Sequence, residues 1–186
     1  MQENVQGKKT AIYQLALMGV MTALICILGP MSLTLPFTPV PISLTNLVIY
    51  LTVWLLGWRL GTVSYLVYLL LGLAGLPVFS AFTGGPGKLF GPTGGYLFGF
   101  IFMAILCGFF VERWKGWPMR LLGMLLGTLV AYLFGTIWLA YVAGMNFQAA
   151  LGAGVIPFIP GDLAKILIIL LAAPPIEARL RRAGLL

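Results

Sequence analysis

The sequence predicts an all-α integral membrane protein, a single domain over residues 1–186 built as a bundle of six transmembrane helices. Of the 186 residues, 61% are hydrophobic, 8% are charged and none is histidine, and the mean hydropathy is +1.06. A chain of this composition cannot present an ordinary polar surface to water. Its length suffices for five to seven helices of about 20 residues with their connections, so we expect no soluble domain beside them.

Apolar runs broken by proline, glycine and charge mark the helices in order. They predict six helices, at residues 11–28, 42–57, 61–74, 95–111, 121–143 and 162–174. The first run follows Lys8 and Lys9 as a signal peptide would, but it is long and lacks a cleavage site of small residues, so we expect a retained helix. Several runs are short for a full span, so their connections are expected to lie partly at membrane depth, buried in protein or facing a cavity.

Basic residues indicate the orientation of the bundle. Nine of the eleven lysine and arginine residues fall on one side of it: Lys8, Lys9, Arg59, Arg113, Lys115, Arg120, Arg179, Arg181 and Arg182. Because positively charged connections stay on the cytoplasmic side, we expect both termini in the cytoplasm and a multi-pass protein of the cell membrane. The net charge of +7 then reflects topology and contact with lipid headgroups, and we expect no nucleic-acid partner.

The connection between helices 1 and 2 lies on the opposite, outer side. Its three prolines alternate around Phe37 and Thr38, which predicts a stiff and extended segment. Three polar residues follow where helix 2 begins: Ser43, Thr45 and Asn46. Ser43 can serve simply as a helix cap.

The connection between helices 3 and 4 has six glycines within residues 84–95, beginning with Gly84 and Gly85. Glycine lets the backbone approach a ligand closely, so the connection predicts a shaped binding loop, which also carries Lys88 and Thr93. A nucleotide phosphate loop is disfavoured, because the Gly-Pro-Gly-Lys run lacks the earlier glycine and the following serine or threonine. Aromatic side chains are expected to wall an apolar pocket beside the loop: Phe79, Phe82, Phe90 and Tyr96.

The third outer connection spans residues 144–161 and suggests a segment that dips back towards the membrane. It contains Asn146, Gln148 and an apolar run at 156–159. Long connections without secondary structure are uncommon unless they are functional. We therefore expect the three outer connections to converge on one concavity.

Three ionisable side chains remain on the outer half: Lys88, Asp162 and Lys165. A charge at a helix centre costs about 2.5–3.5 kcal/mol on the insertion scale, so such residues are functional candidates. Asp162 can also cap a helix, and Lys165 can extend to the headgroups, and both alternatives stay open. At positions i and i+3 the two side chains share a helix face, where they can offer an acceptor and a donor to a polar ligand group.

Four motifs, in this order along almost the whole chain, resemble the biotin-specific substrate-binding component (BioY) of energy-coupling-factor transporters. They are residues 37–43 (Phe-Thr-Pro-Val-Pro-Ile-Ser), 75–79 (Gly-Leu-Pro-Val-Phe), 91–96 (Gly-Pro-Thr-Gly-Gly-Tyr) and 162–165 (Asp-Leu-Ala-Lys). The resemblance implies an outward-facing biotin pocket in which the Asp-x-x-Lys pair reaches polar groups of the vitamin. Relatives commonly carry Gln-Thr where this chain has Thr45-Asn46.

The expected substrate contacts combine these motifs with the residue chemistry. They are Thr38, Ser43, Asn46, Phe79, Gly84, Gly85, Lys88, Thr93, Tyr96, Asp162 and Lys165. Asp162 is expected to accept hydrogen bonds from the ureido N–H groups of biotin and Lys165 to donate to a ligand oxygen. We expect no metal, no catalytic residues and no cofactor, with biotin as the transported ligand.

Helix 1 carries a stripe of small residues, Ala16, Gly19 and Ala23, at which another helix can approach closely. The stripe can serve packing within the bundle or contact with a partner. The resemblance implies that it faces a transmembrane coupling subunit that carries two cytoplasmic ATPases. This chain itself has no nucleotide-binding motif, so we expect it to depend on those partners for energy.

Two other classes of function compete with vitamin capture. A self-sufficient ion-coupled carrier would need a titrating carboxylate, and Asp162 is the one acid outside the cytoplasmic edge. A membrane enzyme is disfavoured, because the sequence offers no histidine, no carboxylate dyad and no Ser-Lys arrangement to act as acid, base or nucleophile.

Overall fold

The fold is described by a computed structural model that covers residues 2–34, 36 and 38–186, with side chains from residue 12 onward within these ranges. Seven helices follow one another: α1 (Gln2–Leu28), α2 (Thr45–Leu73), α3 (Pro86–Leu89), α4 (Gly94–Arg113), α5 (Trp117–Ala143), α6 (Phe147–Gly154) and α7 (Ile159–Arg182). Two short strands, β1 (Ser32–Leu33) and β2 (Ile42–Ser43), pair antiparallel between α1 and α2. Phe37 of the first predicted motif lies outside the described residues.

Helix α2 is a hairpin of two helices, because the chain reverses at Gly57. Gly57 has φ +74° and ψ 179°, a conformation that disfavours any residue with a side chain. Beyond the reversal, a Cβ at Gly61 would lie 2.8 Å from Cγ1 of Val53, so the two halves run antiparallel in close contact. The bundle therefore contains six long helical segments: α1, the two halves of α2, α4, α5 and α7.

The long helices have the composition of membrane spans. Helices α4, α5 and α7 are each long and apolar enough to cross a membrane. Helix α2 is as apolar but reaches that length only as the sum of its two halves, and α1 adds a shorter apolar stretch over Ile12–Leu28. Large apolar side chains cover the outside of the bundle, as with Leu171, which is 77% exposed. A surface of this kind suits a lipid environment, where outward-facing apolar residues carry no penalty. The predicted class, an all-α membrane bundle, is confirmed.

Several helices extend beyond the ranges expected from the sequence. Helix α5 begins at Trp117 rather than 121, and α7 runs from Ile159 to Arg182 rather than over 162–174. The expected end of the last helix rested on the Pro174-Pro175 pair, which lies inside α7. Proline removes a backbone donor from a helix, but the helix continues past both residues on a largely exposed face.

Close approach through glycine holds α4 against α5, the most extensive helix pair of the bundle. Side chains added at Gly99, Gly123 or Gly127 would collide with the facing helix. Small residues let membrane helices come into such contact. By comparison α5 and α7 touch only slightly, and residues of both helices line the site described below.

Candidate ligand-binding site

A hollow opens at the predicted outer end of the bundle, between β2, α2, α4, α5 and α7. The free space within it is about 640 Å³ when the solvent at its open mouth is counted. Its apolar wall includes Leu97, Phe100, Met103 and Phe158. Its polar lining residues are Ser43, Thr45, Asn46, Ser80, Thr93, Tyr96, Thr128, Tyr132, Asp162 and Lys165.

Asp162 and Lys165 form a buried ion pair at the start of α7. Nζ of Lys165 lies 2.8 Å from Oδ1 of Asp162, and the two residues are only 6% and 7% exposed. Asp162 does not cap the helix, since α7 starts after Phe158 and has no side-chain cap bond. Lys165 points into the bundle rather than out to the headgroups. Capping by Asp162 and extension of Lys165 to the headgroups are therefore excluded, although Asp162 does lie in the first turn of α7, where the helix dipole favours an acid.

Asn46 joins this pair from the first turn of α2. Its amide Nδ2 donates to Oδ1 of Asp162 at 2.8 Å, and its carbonyl Oδ1 accepts from Nζ of Lys165 at 3.0 Å. The three side chains thus form a closed ring of hydrogen bonds across two helices. Asn46 lies where the sequence departs from the common Gln-Thr pattern. Its amide offers a donor to the Asp162 carboxylate and an acceptor to the Lys165 ammonium.

Oxygen atoms of the protein accept a hydrogen bond from each of the three N–H groups of the Lys165 ammonium. Besides Asp162 and Asn46, Nζ of Lys165 donates to the backbone carbonyl of Ser43 at 2.7 Å. A lysine ammonium has three donors, so none is left over for a ligand in this conformation. Buried charges persist when they are paired and hydrogen-bonded in this way.

The Asp162 carboxylate has one hydrogen-bond acceptor position left over. Oδ2 of Asp162 accepts from the hydroxyl of Tyr132 on α5 at 2.6 Å, while Oδ1 accepts from Asn46 and Lys165. A carboxylate offers about four acceptor positions, so one remains free after these three bonds. The second N–H of the Asn46 amide is also free among the described hydrogen bonds. The arrangement can therefore receive one donor and one acceptor from a ligand.

Two other expected contacts lie in the hollow with different roles. Tyr96 lines it, but its hydroxyl donates to the carbonyl of Gly154 at 2.8 Å, which leaves the ring as its ligand-facing part. Thr93 lines it with a buried Oγ1 that has no hydrogen-bond partner within the described part of the chain. Ser43 contributes its backbone carbonyl to Lys165, and its hydroxyl donates to Thr45 at 3.0 Å.

The remaining expected contacts are not among the residues lining the hollow, and the structure gives two of them packing roles. Phe79 is fully buried and packs edge-to-face on Tyr68, with ring centroids 5.5 Å apart. Gly72 leaves space for the Phe79 ring, because a Cβ there would collide with it. Thr38 donates to the carbonyl of Ala153 at 2.6 Å, which ties the first outer connection to α6.

The glycine-rich loop likewise shapes the chain more than it lines the hollow. Gly84 lies against the carbonyl of Leu76, where a Cβ would clash, and Gly85 takes φ +83° to begin α3. Lys88 sits on α3 outside the hollow. Partial burial lowers the pKa of Lys88, since desolvation disfavours the charged ammonium.

Sequence reasoning missed Tyr132, Thr128 and Phe158, which all line the hollow. Tyr132 and Thr128 lie inside an apolar run, where a tyrosine or threonine is unremarkable. The signal that could have found Tyr132 is its phenol at mid-helix, because a hydroxyl buried in a bundle needs a hydrogen-bond partner.

The small-residue stripe of α1 faces outward. Ala16, Gly19 and Ala23 are exposed, and no atom lies within 4 Å of a Cβ built at Gly19. Packing of this stripe within its own bundle is therefore excluded. The inner face of α1 uses other contacts, such as the 2.7 Å hydrogen bond between the hydroxyls of Thr22 and Ser64.

Comparison with known proteins identifies the family to which this chain belongs. The sequence profile of the BioY family matches residues 1–182. The chain belongs to the BioY family. A BioY relative from Thermotoga maritima, named a biotin transporter, is 37% identical over 160 residues, covering 86% of this chain and 93% of the relative. Another from Lactococcus lactis subsp. cremoris, with the same name, is 36% identical over 188 residues, covering 97% of this chain and 95% of the relative.

The BioY fold is also present in a solved structure. The crystal structure of the S-component for biotin from an ECF-type ABC transporter matches with a TM-score of 0.81 at 35% identity, covering 96% of this chain and 94% of that chain. The resemblance drawn from the four sequence motifs is therefore confirmed. BioY proteins are substrate-binding components of transporters rather than enzymes, which removes the membrane-enzyme alternative.

Proposed function

We propose that this chain captures biotin on the outer side of the cell membrane, as the substrate-binding component of an energy-coupling-factor transporter. The observation that carries the proposal is an open hollow with a buried, hydrogen-bonded Asp162–Lys165 pair on its wall. Membership in the BioY family and the names of the relatives support biotin as the ligand.

The chemistry of biotin complements the free polar positions of the hollow. Its ureido ring carries two N–H donors and one carbonyl acceptor, and the rest of the bicyclic ring and the tail are mainly apolar. In our proposal the open acceptor position of Asp162 takes a ureido N–H, and the free N–H of Asn46 reaches the ureido carbonyl. A hydrogen bond to a charged acceptor is worth about 1.5–3 kcal/mol, so Asp162 contributes most to orientation.

Lys165 acts as a positioning residue in this proposal. Its ammonium donates to Ser43, Asn46 and Asp162, so it holds the Asp162 carboxylate and the Asn46 amide in place. The apolar part of the vitamin lies against Leu97, Phe100, Met103 and the ring of Tyr96. Of the expected contacts, Thr38, Phe79, Gly84, Gly85 and Lys88 support the walls rather than touch the ligand.

The proposal includes transport partners. The exposed stripe of Ala16, Gly19 and Ala23 supports contact with a transmembrane coupling subunit, which works with two cytoplasmic ATPase subunits. The distribution of basic residues supports cytoplasmic termini. A solo ion-coupled carrier fits less well, because Asp162 is locked by three donors from Asn46, Tyr132 and Lys165.

Isothermal titration of the purified chain with biotin tests the binding step. Lipoate serves as the matched control ligand, since it has a sulfur-containing ring and a pentanoate tail but no ureido group. We expect tight one-to-one binding of biotin and at least about 100-fold weaker binding of lipoate, in line with the loss of buried polar contacts. Equal affinity for both ligands, or no binding of biotin, contradicts the proposal.

The transport step is tested in cells that take up labelled biotin through this chain. We expect uptake to cease when the ATPase subunits are deleted while binding by the purified chain persists. Unchanged uptake without the ATPases would favour the self-sufficient carrier.

A further inference from the structure

Thr93 is an unusual residue of the hollow, because its hydroxyl is buried and unpaired. The residue is 7% exposed, and its Oγ1 has no hydrogen-bond partner within the described part of the chain. It occupies the N-cap position of α4, where a threonine side chain normally accepts a backbone N–H, yet it makes no side-chain cap bond. Only its backbone carbonyl is engaged, by the N–H groups of Tyr96 and Leu97 at 3.2 and 3.3 Å.

Four of the six other buried threonines satisfy their hydroxyls locally. Each of the four donates to the carbonyl four residues earlier, at 2.6–2.9 Å: Thr22 to Met18, Thr52 to Val48, Thr62 to Trp58 and Thr128 to Met124. The residue four positions before Thr93 is Leu89, the last residue of α3, and the Thr93 hydroxyl makes no hydrogen bond to its carbonyl. An unpaired buried hydroxyl is unfavourable. Tyr68 also has one but does not line the hollow, whereas Thr93 does, so a ligand there can reach the Thr93 hydroxyl.

The backbone that carries Thr93 is held firmly from two sides. Nε1 of Trp138 on α5 donates to the carbonyl of Gly91 at 2.9 Å. Side chains at Gly94 or Gly95 would collide with the Leu89 carbonyl and with Trp138. The hydroxyl of Thr93 is therefore preset at the wall of the hollow rather than free to relocate with its loop.

We propose that the Thr93 hydroxyl forms a direct hydrogen bond with the ureido group of the bound ligand. This inference rests on the proposed function and adds a neutral contact from α4 to those of Asp162 on α7 and Asn46 on α2. Ligand entry supplies the partner that the hydroxyl lacks in the free protein. Thr93 is then a specificity residue for the polar ring, and it contributes nothing to the stability of the unliganded bundle.

A structural role and a ligand role predict opposite effects in the free protein. If Thr93 stabilised the fold, Thr93→Val would lower the melting temperature of the unliganded protein. If its hydroxyl bonds only to a bound ligand, Thr93→Val removes an unpaired polar atom from the free protein. The melting temperature of the free protein then stays equal or rises, while the affinity for biotin falls. Thr93→Ser keeps the hydroxyl, and Thr52→Val removes a buried hydroxyl that does not line the hollow.

The test measures biotin Kd and unliganded melting temperature for the wild type and these three variants. We expect Thr93→Val to bind biotin about tenfold more weakly, Thr93→Ser within about twofold of wild type, and Thr52→Val to keep its affinity. If Thr93→Val does not fold, Thr93→Ala removes the same hydroxyl and carries the same expectation. Wild-type affinity in the variant that lacks the hydroxyl overturns the inference alone, whereas a wild type that does not bind biotin overturns the proposed function and this inference with it.

Discussion

Asn46 on α2 donates to Oδ1 of Asp162 on α7 at 2.8 Å, across 116 residues of sequence. The same amide accepts from Lys165, so the two isolated charges of the outer half are already satisfied by a neutral residue and by each other. The sequence predicts instead that Asp162 accepts from a ligand and that Lys165 donates to one. The structure assigns that task to the protein and leaves the ligand a site whose donors and acceptors are fixed in advance, which lowers the ordering cost of binding.

Tyr132→Phe should weaken both the bundle and its affinity for biotin. The change removes the 2.6 Å hydrogen bond from the phenol to Oδ2 of Asp162, which links two helices that otherwise touch little. A hydrogen bond to a charged group contributes about 1.5–3 kcal/mol. We expect the free energy of unfolding to decrease by an amount in that range. Denaturant unfolding in detergent and biotin titration measure the two effects. Tyr141→Phe, at a residue of the same helix that is 85% exposed, is the control and should change neither.

Lys88→Gln should leave biotin affinity within about twofold of wild type. Lys88 is on α3 outside the hollow, and an exposed or half-exposed charge interacts weakly with distant groups in water. Titration calorimetry at two salt concentrations measures this. A loss of about tenfold or more, greatest at low salt, would indicate instead that Lys88 is a counter-ion of the biotin carboxylate.

The sequence predicted the parts of this molecule that depend on composition and local pattern. The reversal between the second and third helices was expected near Arg59 and occurs at Gly57, because a glycine beside charged residues ends an apolar run recognisably. Asp162 and Lys165 stood out because charge is rare in this chain and costly in lipid. Such features can be recognised from the sequence alone.

The parts that escaped prediction depend on how helices face one another. Whether Tyr132 points to lipid or to Asp162 is decided by the packing of α5, which no local pattern encodes. The glycine-rich loop predicts a binding role. In the structure, Gly84 is required by its close contact with the Leu76 carbonyl, and Gly85 by the positive φ at the start of α3. A single sequence cannot separate a glycine required by a ligand from a glycine required by a neighbouring carbonyl.

Gly19→Leu should impair association with the coupling subunit without impairing biotin binding. Gly19 is exposed on α1 with no neighbour within 4 Å of a Cβ position, so the isolated chain accommodates the larger side chain. A helix that approaches the stripe closely would meet it. Co-purification with the coupling subunit and the ATPases measures association, and biotin titration is the folding control. Val20→Leu, at a neighbouring exposed residue, should assemble normally, and equal assembly of both variants would place the interface elsewhere.

Asp162→Asn alone confounds binding with stability. It leaves Lys165 buried without its anion, and breaking a buried ion pair in this way costs about 3–5 kcal/mol. Adding Lys165→Met removes the orphaned charge with little change in side-chain volume. We expect the double variant to regain much of the stability that the single variant loses, which denaturant unfolding of both proteins would measure.

Biotin titration of the Asp162→Asn/Lys165→Met double variant, beside the wild type, tests most directly whether the ion pair exists to build the vitamin site. We expect the double variant to purify as a folded protein and to bind biotin at least about 100-fold more weakly than wild type, because the ureido N–H loses its charged acceptor and Asn46 loses the ammonium that holds its amide. Wild-type affinity in a folded double variant would contradict the assignment, and would mean that the pair only stabilises the bundle.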